Sequence, residues 1–487
     1  MKRRLAPVWG ASILAVAIPV VGATVCVAII AVQLTLIALR SLIARLPARI
    51  GSARKYTEKP NFSVHVATHS EPPDMVIRTL RALLDQDWHP DFREIIVMDN
   101  NTLDPTLWKP VECFCKSHPD RITFLHRTGV SGAKAGALNI ALEHSGPDTT
   151  HVVTVDADYV VHRDFLSRAA EALHRTGADY VQFPQSYVAT TTAAPGIDAE
   201  LEEYFRANAA VADEAEAVLL TGTLCVISKP ALVAAGGWSG ATTTEDAELG
   251  VRLCDAGFTG RFINQVVGQG LLPLSLKDLE KQRYRWSSGN FQTLLRHFRT
   301  IMTPAGSLLL PKRLVILSQL TAWFNPALVP GIMLLVWLMA GWDQTIAPTL
   351  AAAVIVLGLC DIVLRVIGRG VRDHLAPGVI LHALACRIAL APQSAKATFD
   401  AFCGGSLTFI VTDKSGACRT NPRDLHSCHL LLFAAALIAL ITAPQSNPLI
   451  LTALFCLMLP LPAAVITDLS LRNYRKALIA PKKVITP

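Results

Sequence analysis

Hydrophobic residues are distributed very unevenly along this chain of 487 residues. Long apolar runs fill positions 9–39 and much of 314–470, whereas 60–300 has the mixed composition of a globular domain. A helix needs roughly 20 apolar residues to cross the hydrocarbon core of a bilayer. The pattern therefore predicts an integral membrane protein that carries one large polar domain.

The polar region alternates short β-branched runs with amphipathic helical patterns. Strands are expected at 62–67, 94–98, 122–126, 152–155 and 180–183, with helices near 73–84, 133–144, 164–175 and 197–216. This alternation predicts an α/β sheet that binds its ligands at the carboxyl ends of the strands. Acidic residues stand at three such ends, namely Glu71, Asp99 and the pair Asp156 and Asp158.

The apolar runs predict the membrane topology. The run at 9–39 is longer than the roughly 7–15 residues of a signal-peptide core, so we expect it to stay in the membrane. Pro19 and Gly22 leave open whether it forms one span or a tight two-pass hairpin. Further spans are expected at 314–341, 346–367, about 430–443 and 449–467. Segment 375–401 is only intermittently apolar and is expected to be an interfacial amphipathic helix.

Composition and charge narrow the function classes. With 51% hydrophobic and 17% charged residues, the chain is too apolar for an ordinary soluble protein. The net charge of +7 comes mainly from basic residues beside apolar runs. The positive-inside rule explains this bias and places the polar domain in the cytoplasm, so nucleic-acid binding is not expected. The eleven cysteines lack paired zinc spacing and are expected to be reduced thiols.

Two motifs of the polar domain suggest phosphate and metal chemistry. Asp156 and Asp158 follow an apolar strand, and such a pair can share Mg²⁺ or Mn²⁺ with a diphosphate; a solvated loop is the alternative. The glycine-flanked loop at 129–136 lacks the order of a P-loop. Lys134, at the start of a predicted helix, could still approach a phosphate.

The stretch 241–286 contains two further motifs. Thr244-Glu245-Asp246 precedes a helix and is either an N-cap or a carboxylate site that deprotonates a hydroxyl. Gln282, Arg285 and Trp286 are spaced three and four apart, which places them on one helix face. The arginine suits a diphosphate and the indole a sugar ring, although Trp286 could instead be a membrane-interface anchor.

Taken in order and followed by membrane spans, these motifs resemble processive family 2 glycosyltransferases, which include cellulose, chitin and hyaluronan synthases. The resemblance rests on Asp99, the D-x-D at 156–158, Thr244-Glu245-Asp246 and the Q-x-x-R-W at 282–286. The segment 409–414 also looks like the F-x-V-T-x-K gating loop of bacterial cellulose synthase catalytic subunits. The resemblance covers about 60–470.

The resemblance implies an α/β GT-A (Rossmann-like) cytoplasmic domain joined to an α-helical transmembrane domain. It also implies a UDP-sugar donor, a growing polysaccharide acceptor and Mg²⁺ or Mn²⁺. The implied roles are uridine binding by Glu71 and Asp99, diphosphate contact by Lys134, nucleotide and metal binding by Asp156 and Asp158, and general-base catalysis by Asp246 in the motif that also contains Thr244 and Glu245. Gln282, Arg285 and Trp286 would line the donor diphosphate and the acceptor end, and Thr412 and Lys414 would close over UDP.

The expected organisation is an anchor with a basic linker (1–58), a glycosyltransferase domain (59–305), transmembrane helices (306–370), an interfacial helix with the gating loop (371–424) and transmembrane helices with a basic tail (425–487). The resemblance implies a multi-pass protein of a bacterial inner membrane, with periplasmic or regulatory subunits as candidate partners.

Departures from the family pattern affect the expected product. Asn100 and Asn101 follow Asp99 where many members have a second acidic residue, and Tyr159 stands where cellulose synthases often have His. No appended C-terminal domain is expected. We therefore expect an inverting, processive synthase of a β-linked polysaccharide, with a β-glucan as the first candidate and a 1,3- or mixed-linked β-glucan as an alternative to cellulose. Alternatives are a chitin- or hyaluronan-type synthase, a non-processive transferase that uses a lipid carrier, and a catalytically silent transporter or scaffold.

Overall fold

The computed structural model describes residues 5–43, 59–188, 190–303, 308–342, 346–404, 427–443 and 447–479. Thr412 and Lys414, the predicted gating-loop residues, lie outside these ranges. The statements below concern the described residues.

A mixed β-sheet forms the centre of the polar domain. Its seven strands lie in the order β3-β2-β1-β4-β7-β6-β8, and β5 and β9 form a separate pair. The bounds are β1 Phe62–Thr68, β2 Arg93–Asn100, β3 Ile122–Arg127, β4 His151–Thr154, β5 Val160–Val161, β6 Tyr180–Gln182, β7 Cys225–Ser228, β8 Gly260–Phe262 and β9 Gly268–Gln269.

The four strands β3, β2, β1 and β4 are parallel, and all five expected strands are present. In β2, Ile95 and Val97 pack on one face of the sheet, while Ile96 and Met98 pack on the other. Residues buried on both faces explain why the parallel strands appear in the sequence as short continuous apolar runs. The predicted α/β class is confirmed.

The described helices cover both the polar domain and the apolar regions. Their bounds are α1 Leu5–Ala17, α2 Pro19–Ile43, α3 Pro73–Leu84, α4 Pro105–Lys116, α5 Ala133–Glu143, α6 Phe165–Thr176, α7 Thr190–Ala193, α8 Pro195–Tyr204, α9 Ala210–Asp213, α10 Lys229–Ala234, α11 Glu245–Asp255, α12 Leu276–Arg296, α13 Phe298–Met302, α14 Leu310–Leu320, α15 Leu328–Met339, α16 Ile346–Arg372, α17 Pro377–Cys403, α18 Ser427–Thr442, α19 Pro448–Met458 and α20 Pro460–Ile479. The helix expected near 197–216 is interrupted by a π-helical turn at Phe205–Ala209.

Four described segments are long and apolar enough to cross a membrane: Pro19–Ile43, Ile346–Arg372, Pro377–Cys403 and Pro448–Leu478. The span expected at 314–341 is wrong as a single helix, because α14 ends at Leu320 and α15 begins at Leu328. Pro326 lies in the intervening segment, and proline supplies no backbone N–H for a continuing helix.

The N-terminal apolar run forms two helices that reverse direction at Ile18–Pro19. A Cβ on Gly22 would lie 2.5 Å from the carbonyl oxygen of Ala15. In one continuous helix those residues would be about 10 Å apart along the axis. This geometry favours the hairpin over the single span, although α1 is too short to cross a bilayer alone.

Helix α17 lies along the polar domain. Near its start His382 packs on Gly196, and near its end Asp400 accepts a hydrogen bond from the hydroxyl of Tyr284. Its length and composition would also allow a membrane span. Contacts with the polar domain at both ends are typical of a helix in the membrane interface, so the interfacial placement stays our prediction.

Candidate active site

A cleft of about 800 Å³ opens at the carboxyl ends of β1, β2 and β4. It brings together ten of the predicted site residues, which come from five separate parts of the sequence: Glu71, Lys134, Asp156, Asp158, Thr244, Glu245, Asp246, Gln282, Arg285 and Trp286. Parallel strands place their carboxyl ends at one sheet edge, which explains why distant motifs meet there.

Asp99 lies behind the cleft rather than on its wall. The carboxylate is buried and accepts hydrogen bonds from the hydroxyls of Thr68 (3.0 Å) and Thr102 (2.7 Å). Nδ1 of His126 lies 2.7 Å from its second oxygen, and the His126 ring stacks on Trp108 with centroids 4.2 Å apart. Because its oxygens already have these partners, Asp99 is well placed to hold the β1–β2 edge.

Lys134 supplies a fixed positive charge. Its ammonium group, in the first turn of α5, donates hydrogen bonds to Asp156 and to the carbonyl of Gly222 (2.8 Å), and Glu245 lies 4.0 Å away. Burial lowers the pKa of Lys134, but the neighbouring carboxylates of Asp156 and Glu245 more than offset this and raise it above its usual range. The group therefore remains charged at neutral pH and suits a diphosphate.

The two aspartates after β4 are held in different ways. The backbone N–H of Asp156 donates to the hydroxyl of Thr223, and its side chain is 35% exposed to the cleft. Asp158 is buried, and its carboxylate accepts the N–H of Leu271 at 3.2 Å. Among the described residues there is no group of three His, Cys, Asp or Glu side chains that could hold a metal. Two carboxylates that complete their coordination with diphosphate oxygens and water fit Mg²⁺ or Mn²⁺.

The loop that binds Asp158 is itself anchored by a membrane helix. Leu272, the residue after the Asp158 partner, donates its N–H to the hydroxyl of Tyr474 at 3.3 Å. Tyr474 is fully buried in α20. This contact links the C-terminal helix to a predicted metal ligand, and it was not apparent in the sequence because 202 residues separate Leu272 from Tyr474.

Asp246 has the properties of a general base. Its carboxylate lines the cleft in the first turn of α11 and accepts the N–H of Ala247 at 2.8 Å. Burial and the neighbouring charge of Glu245 raise the pKa of Asp246 to about 7. Thr244 occupies the N-cap position of α11, as one of the two interpretations expected, but its side chain makes no capping hydrogen bond. A base with a pKa close to neutral is well matched to accept a proton from a hydroxyl.

Two glycines that the sequence analysis missed allow this close packing. A Cβ on Gly222 would lie 2.8 Å from an oxygen of Asp246, and the backbone there is left-handed with a φ of +81°. A Cβ on Gly289, in α12, would lie 2.6 Å from the Thr244 side chain. Neither glycine belongs to a recognisable sequence motif, so only the three-dimensional structure reveals their role in this packing.

Helix α12 presents its motif to the cleft as predicted. Ser275 caps the helix by accepting the N–H of Asp278 at 3.2 Å. Gln282, Arg285 and Trp286 all line the cleft. The side chain of Gln282 donates weakly to the hydroxyl of Tyr187 (3.4 Å), while its Oε1 is buried without a partner among the described residues. A buried acceptor at the wall of a cleft is suited to a ligand hydroxyl.

Arg283, inside the same motif, has a structural position that the sequence analysis did not predict. It is buried and forms an ion pair with the fully buried Glu200. Its guanidinium lies 4.5 Å from the ring centroids of both Trp286 and Trp323. Arg387 of α17 approaches the other oxygen of Glu200 at 2.8 Å. The ion pairs thus join α8, α12 and α17 beneath an aromatic wall.

Comparisons with known proteins agree with this geometry. The sequence model described as "Glycosyl transferase family 2" matches residues 63–233, and that described as "Glycosyl transferase family group 2" matches residues 151–359. The two matches together span the D-x-D, T-E-D and Q-x-x-R-W motifs of the cleft. The chain is a family 2 glycosyltransferase.

The names of similar members of the family state different reactions. A cellulose synthase catalytic subunit (UDP-forming) of Xanthomonas axonopodis pv. citri is 28% identical over 240 residues, 48% of this chain and 32% of that protein. A probable glucomannan 4-β-mannosyltransferase of Oryza sativa is 30% identical over 210 residues, 42% and 40%. A β-monoglucosyldiacylglycerol synthase of Synechocystis is 28% identical over 286 residues, 57% and 58%. The chain thus matches between about a third and three fifths of these relatives' lengths.

A solved structure shares the fold of this glycosyltransferase. It is a mannosyltransferase from Pyrobaculum calidifontis in complex with GDP-Man and Mn²⁺. The TM-score is 0.54 at 19% identity, over 77% of this chain and 98% of that one. The likeness shows a GT-A-like sheet in this glycosyltransferase, next to the long apolar helices.

Proposed function

We propose that the protein is a membrane-embedded, inverting and processive glycosyltransferase that extends a β-linked polysaccharide, a β-glucan above all, from a UDP-sugar. The observation that carries this proposal is Asp246, a carboxyl group with a pKa of about 7 that lines a cleft together with the two aspartates and the cationic groups. Such a set supplies a base for the acceptor and positive charge for the leaving diphosphate.

The reaction is a single displacement at the anomeric carbon. Asp246 accepts the proton of the acceptor hydroxyl, the acceptor oxygen bonds to the anomeric carbon, and the bond to UDP breaks with inversion. Lys134 and Arg285 lie along the cleft to stabilise the negative charge that develops on the diphosphate. Asp156 and Asp158 would hold Mg²⁺ or Mn²⁺, which neutralises diphosphate charge when bound.

An extended product is supported by the surroundings of Trp286. Its ring lies 6.0 Å from that of Trp323, which stacks on Tyr204 with centroids 5.3 Å apart. Trp323 also lines a small polar pocket between the apolar helices, with Gln33 and Asn325 among its other residues. Aromatic rings followed by polar side chains suit a sugar chain that leaves the cleft towards the membrane.

Product analysis of membranes incubated with radiolabelled UDP-sugars tests the proposal. We expect UDP-glucose to give a product of many sugar units that β-glucan-specific glycosidases digest, and the Asp246→Asn variant to lose about 10²–10⁴-fold in rate. Asp255→Asn, at the far end of α11, is the matched control and should keep its activity. Full UDP release by Asp246→Asn would contradict the mechanism.

A second candidate is a non-processive transferase that adds sugar to a lipid. The similarity to the β-monoglucosyldiacylglycerol synthase favours it as much as the cellulose synthase favours a polymer. The same incubation separates the two, because a lipid product dissolves in organic solvent and contains only one or a few sugars.

A further inference from the structure

A second large cavity lies on the membrane side of α17. Its volume is about 740 Å³, close to that of the catalytic cleft, and its walls are almost entirely apolar. Residues of α1, α15, α16 and α17 line most of it, among them Ile13, Ile332, Leu359 and Ile388. None of the cleft residues described above belongs to it.

The position of the cavity limits which molecules can enter. Helices α2 and α16 are long and apolar enough to span a membrane, and α1 and α15 pack beside them. Molecules that reach an apolar space between such helices come from the bilayer, and a hydrocarbon chain is the ligand that gains most from apolar walls. The cavity therefore suits a lipid tail.

The cavity adjoins a polar pocket that leads towards the catalytic cleft. Asn325 and Ala391 line both the cavity and this pocket, whose volume is about 50 Å³. Gln33 also lines the pocket, and its Oε1 is buried without a hydrogen-bond partner among the described residues. Trp323 also lines the pocket, and its ring lies 6.0 Å from that of Trp286, which lines the cleft. A polar head next to a tail in the cavity would thus lie on the path to Trp286.

The unpaired oxygen of Gln33 favours a hydroxyl head. Arg40 and Arg365 share Asp361 at 2.9 and 3.2 Å, and Arg387 shares Glu200 with Arg283. Each of these guanidinium groups thus already contacts a carboxylate, whereas the Gln33 oxygen has no partner among the described residues and can accept a hydrogen bond from a hydroxyl.

We infer that this cavity holds the acyl tail of a neutral, hydroxyl-bearing glycerolipid, and that the hydroxyl head of this lipid serves as the first sugar acceptor. The inference rests on the proposed glycosyl transfer and names the acceptor on which it begins. The lipid hydroxyl would lose its proton to Asp246 and form the glycosidic bond while UDP departs, as in the reaction above.

Filling the cavity tests the inference. Gly331 lies in its wall, and a Cβ there would meet only the Leu457 side chain, at 3.8 Å. Gly331→Phe should therefore place a ring in the cavity. Gly10→Phe is the matched control, because Gly10 lies in α1 outside the cavity lining and has nothing within 4 Å of an added Cβ. The full chain is reconstituted in phosphatidylcholine nanodiscs that contain dioleoylglycerol, and label transfer from UDP-glucose to the organic phase is measured.

The expected result is a labelled lipid from the wild type and from Gly10→Phe, and a loss of about tenfold or more in Gly331→Phe. Transfer to a soluble β-gluco-oligosaccharide acceptor should be unchanged in all three proteins. Equal lipid labelling in both variants would overturn the inference, as would a preference for polyprenyl phosphate over dioleoylglycerol. Absence of transfer to either acceptor in the wild type would instead contradict the proposed function.

A binding measurement gives an answer that does not depend on turnover. Dioleoylglycerol with a diazirine in one acyl chain should crosslink to peptides of α15 and α17 in the wild type, and much less in Gly331→Phe. Crosslinks distributed evenly over all apolar helices would show that the cavity does not select a lipid, and would refute the inference.

Discussion

At Asp246, burial and a neighbouring carboxylate oppose the electrostatic attraction of Lys134 and Arg285. The first two effects are larger, so the pKa of Asp246 rises to about 7. A base is active when it is deprotonated, so the rate should increase as the pH rises through the pKa and level off above it.

Glu245→Gln tests which neighbour sets this pKa. Loss of the adjacent negative charge should lower the pKa of Asp246, so the acidic limb of the pH–rate profile for kcat/KM should move to lower pH. The wild type should lose about tenfold in kcat/KM for each pH unit below that limb. The measurement is initial UDP release between pH 5 and 9, and a limb that stays in place would contradict the assigned cause.

Gly222→Ala tests whether the space beside Asp246 matters for catalysis. The new Cβ would lie 2.8 Å from the carboxylate, so we expect kcat to fall at least about tenfold as the base is displaced. Gly257→Ala is the control, because Gly257 has a similar φ of +89° but nothing within 4 Å of an added Cβ. Both variants bear the backbone strain, so equal activity in the two would exclude the steric explanation.

Among the elements, α20 has an effect on the site that its position in the sequence does not suggest. Tyr474→Phe would remove the hydroxyl that accepts the Leu272 N–H and loosen the loop that holds Asp158. We expect Mn²⁺ to bind about fivefold more weakly in the presence of UDP, the usual effect of one lost hydrogen bond.

Electron paramagnetic resonance of free Mn²⁺ measures this affinity without turnover. Tyr180→Phe is the matched control, since Tyr180 is an equally buried tyrosine that donates to the carbonyl of Val218. Mn²⁺ affinity that falls equally in both variants would mean that general destabilisation, rather than the Tyr474 contact, is responsible.

A second contact between elements joins α17 to the polar domain. Arg387→Met should destabilise the protein by about 3–5 kcal/mol, because it removes one of two cations from the buried carboxylate of Glu200. Lys396→Met, near the exposed end of α17, should change stability by less than about 1 kcal/mol. Thermal unfolding in detergent checks both variants, and similar melting temperatures would contradict a supporting role for the buried pair.

Periodicity predicted the elements of the sheet better than those of the membrane region. Strand β2 was found because Ile95, Ile96 and Val97 form a buried apolar run between polar residues. The span at 314–341 was misjudged because hydropathy averages over Pro326, whose effect on the backbone is local. In the site, motif residues were predictable, whereas Glu200, Arg387 and Tyr474 acquire their roles only through tertiary contacts.

For the molecule as a whole, the reversal at Pro19 has a topological consequence. Trp9 contacts Phe399 of α17 at a ring distance of 5.0 Å, so the start of α1 returns to the level of α17. We predict that an N-terminal tag faces the same side of the membrane as the polar domain. Protease should remove the tag in inside-out vesicles only; cleavage in right-side-out vesicles would support a single outward-facing span.

The hydrogen bond between Leu272 and Tyr474 also sets an order of events during synthesis. Tyr474 follows Leu272 by 202 positions. The sheet, the aspartates and helix α12 are therefore all translated before the residue that supports the loop beside Asp158. A ribosome-bound chain could therefore fold its cleft while the loop beside Asp158 still lacks this anchor. The late synthesis of α20 would then delay efficient sugar transfer until the membrane helices that precede it have been made.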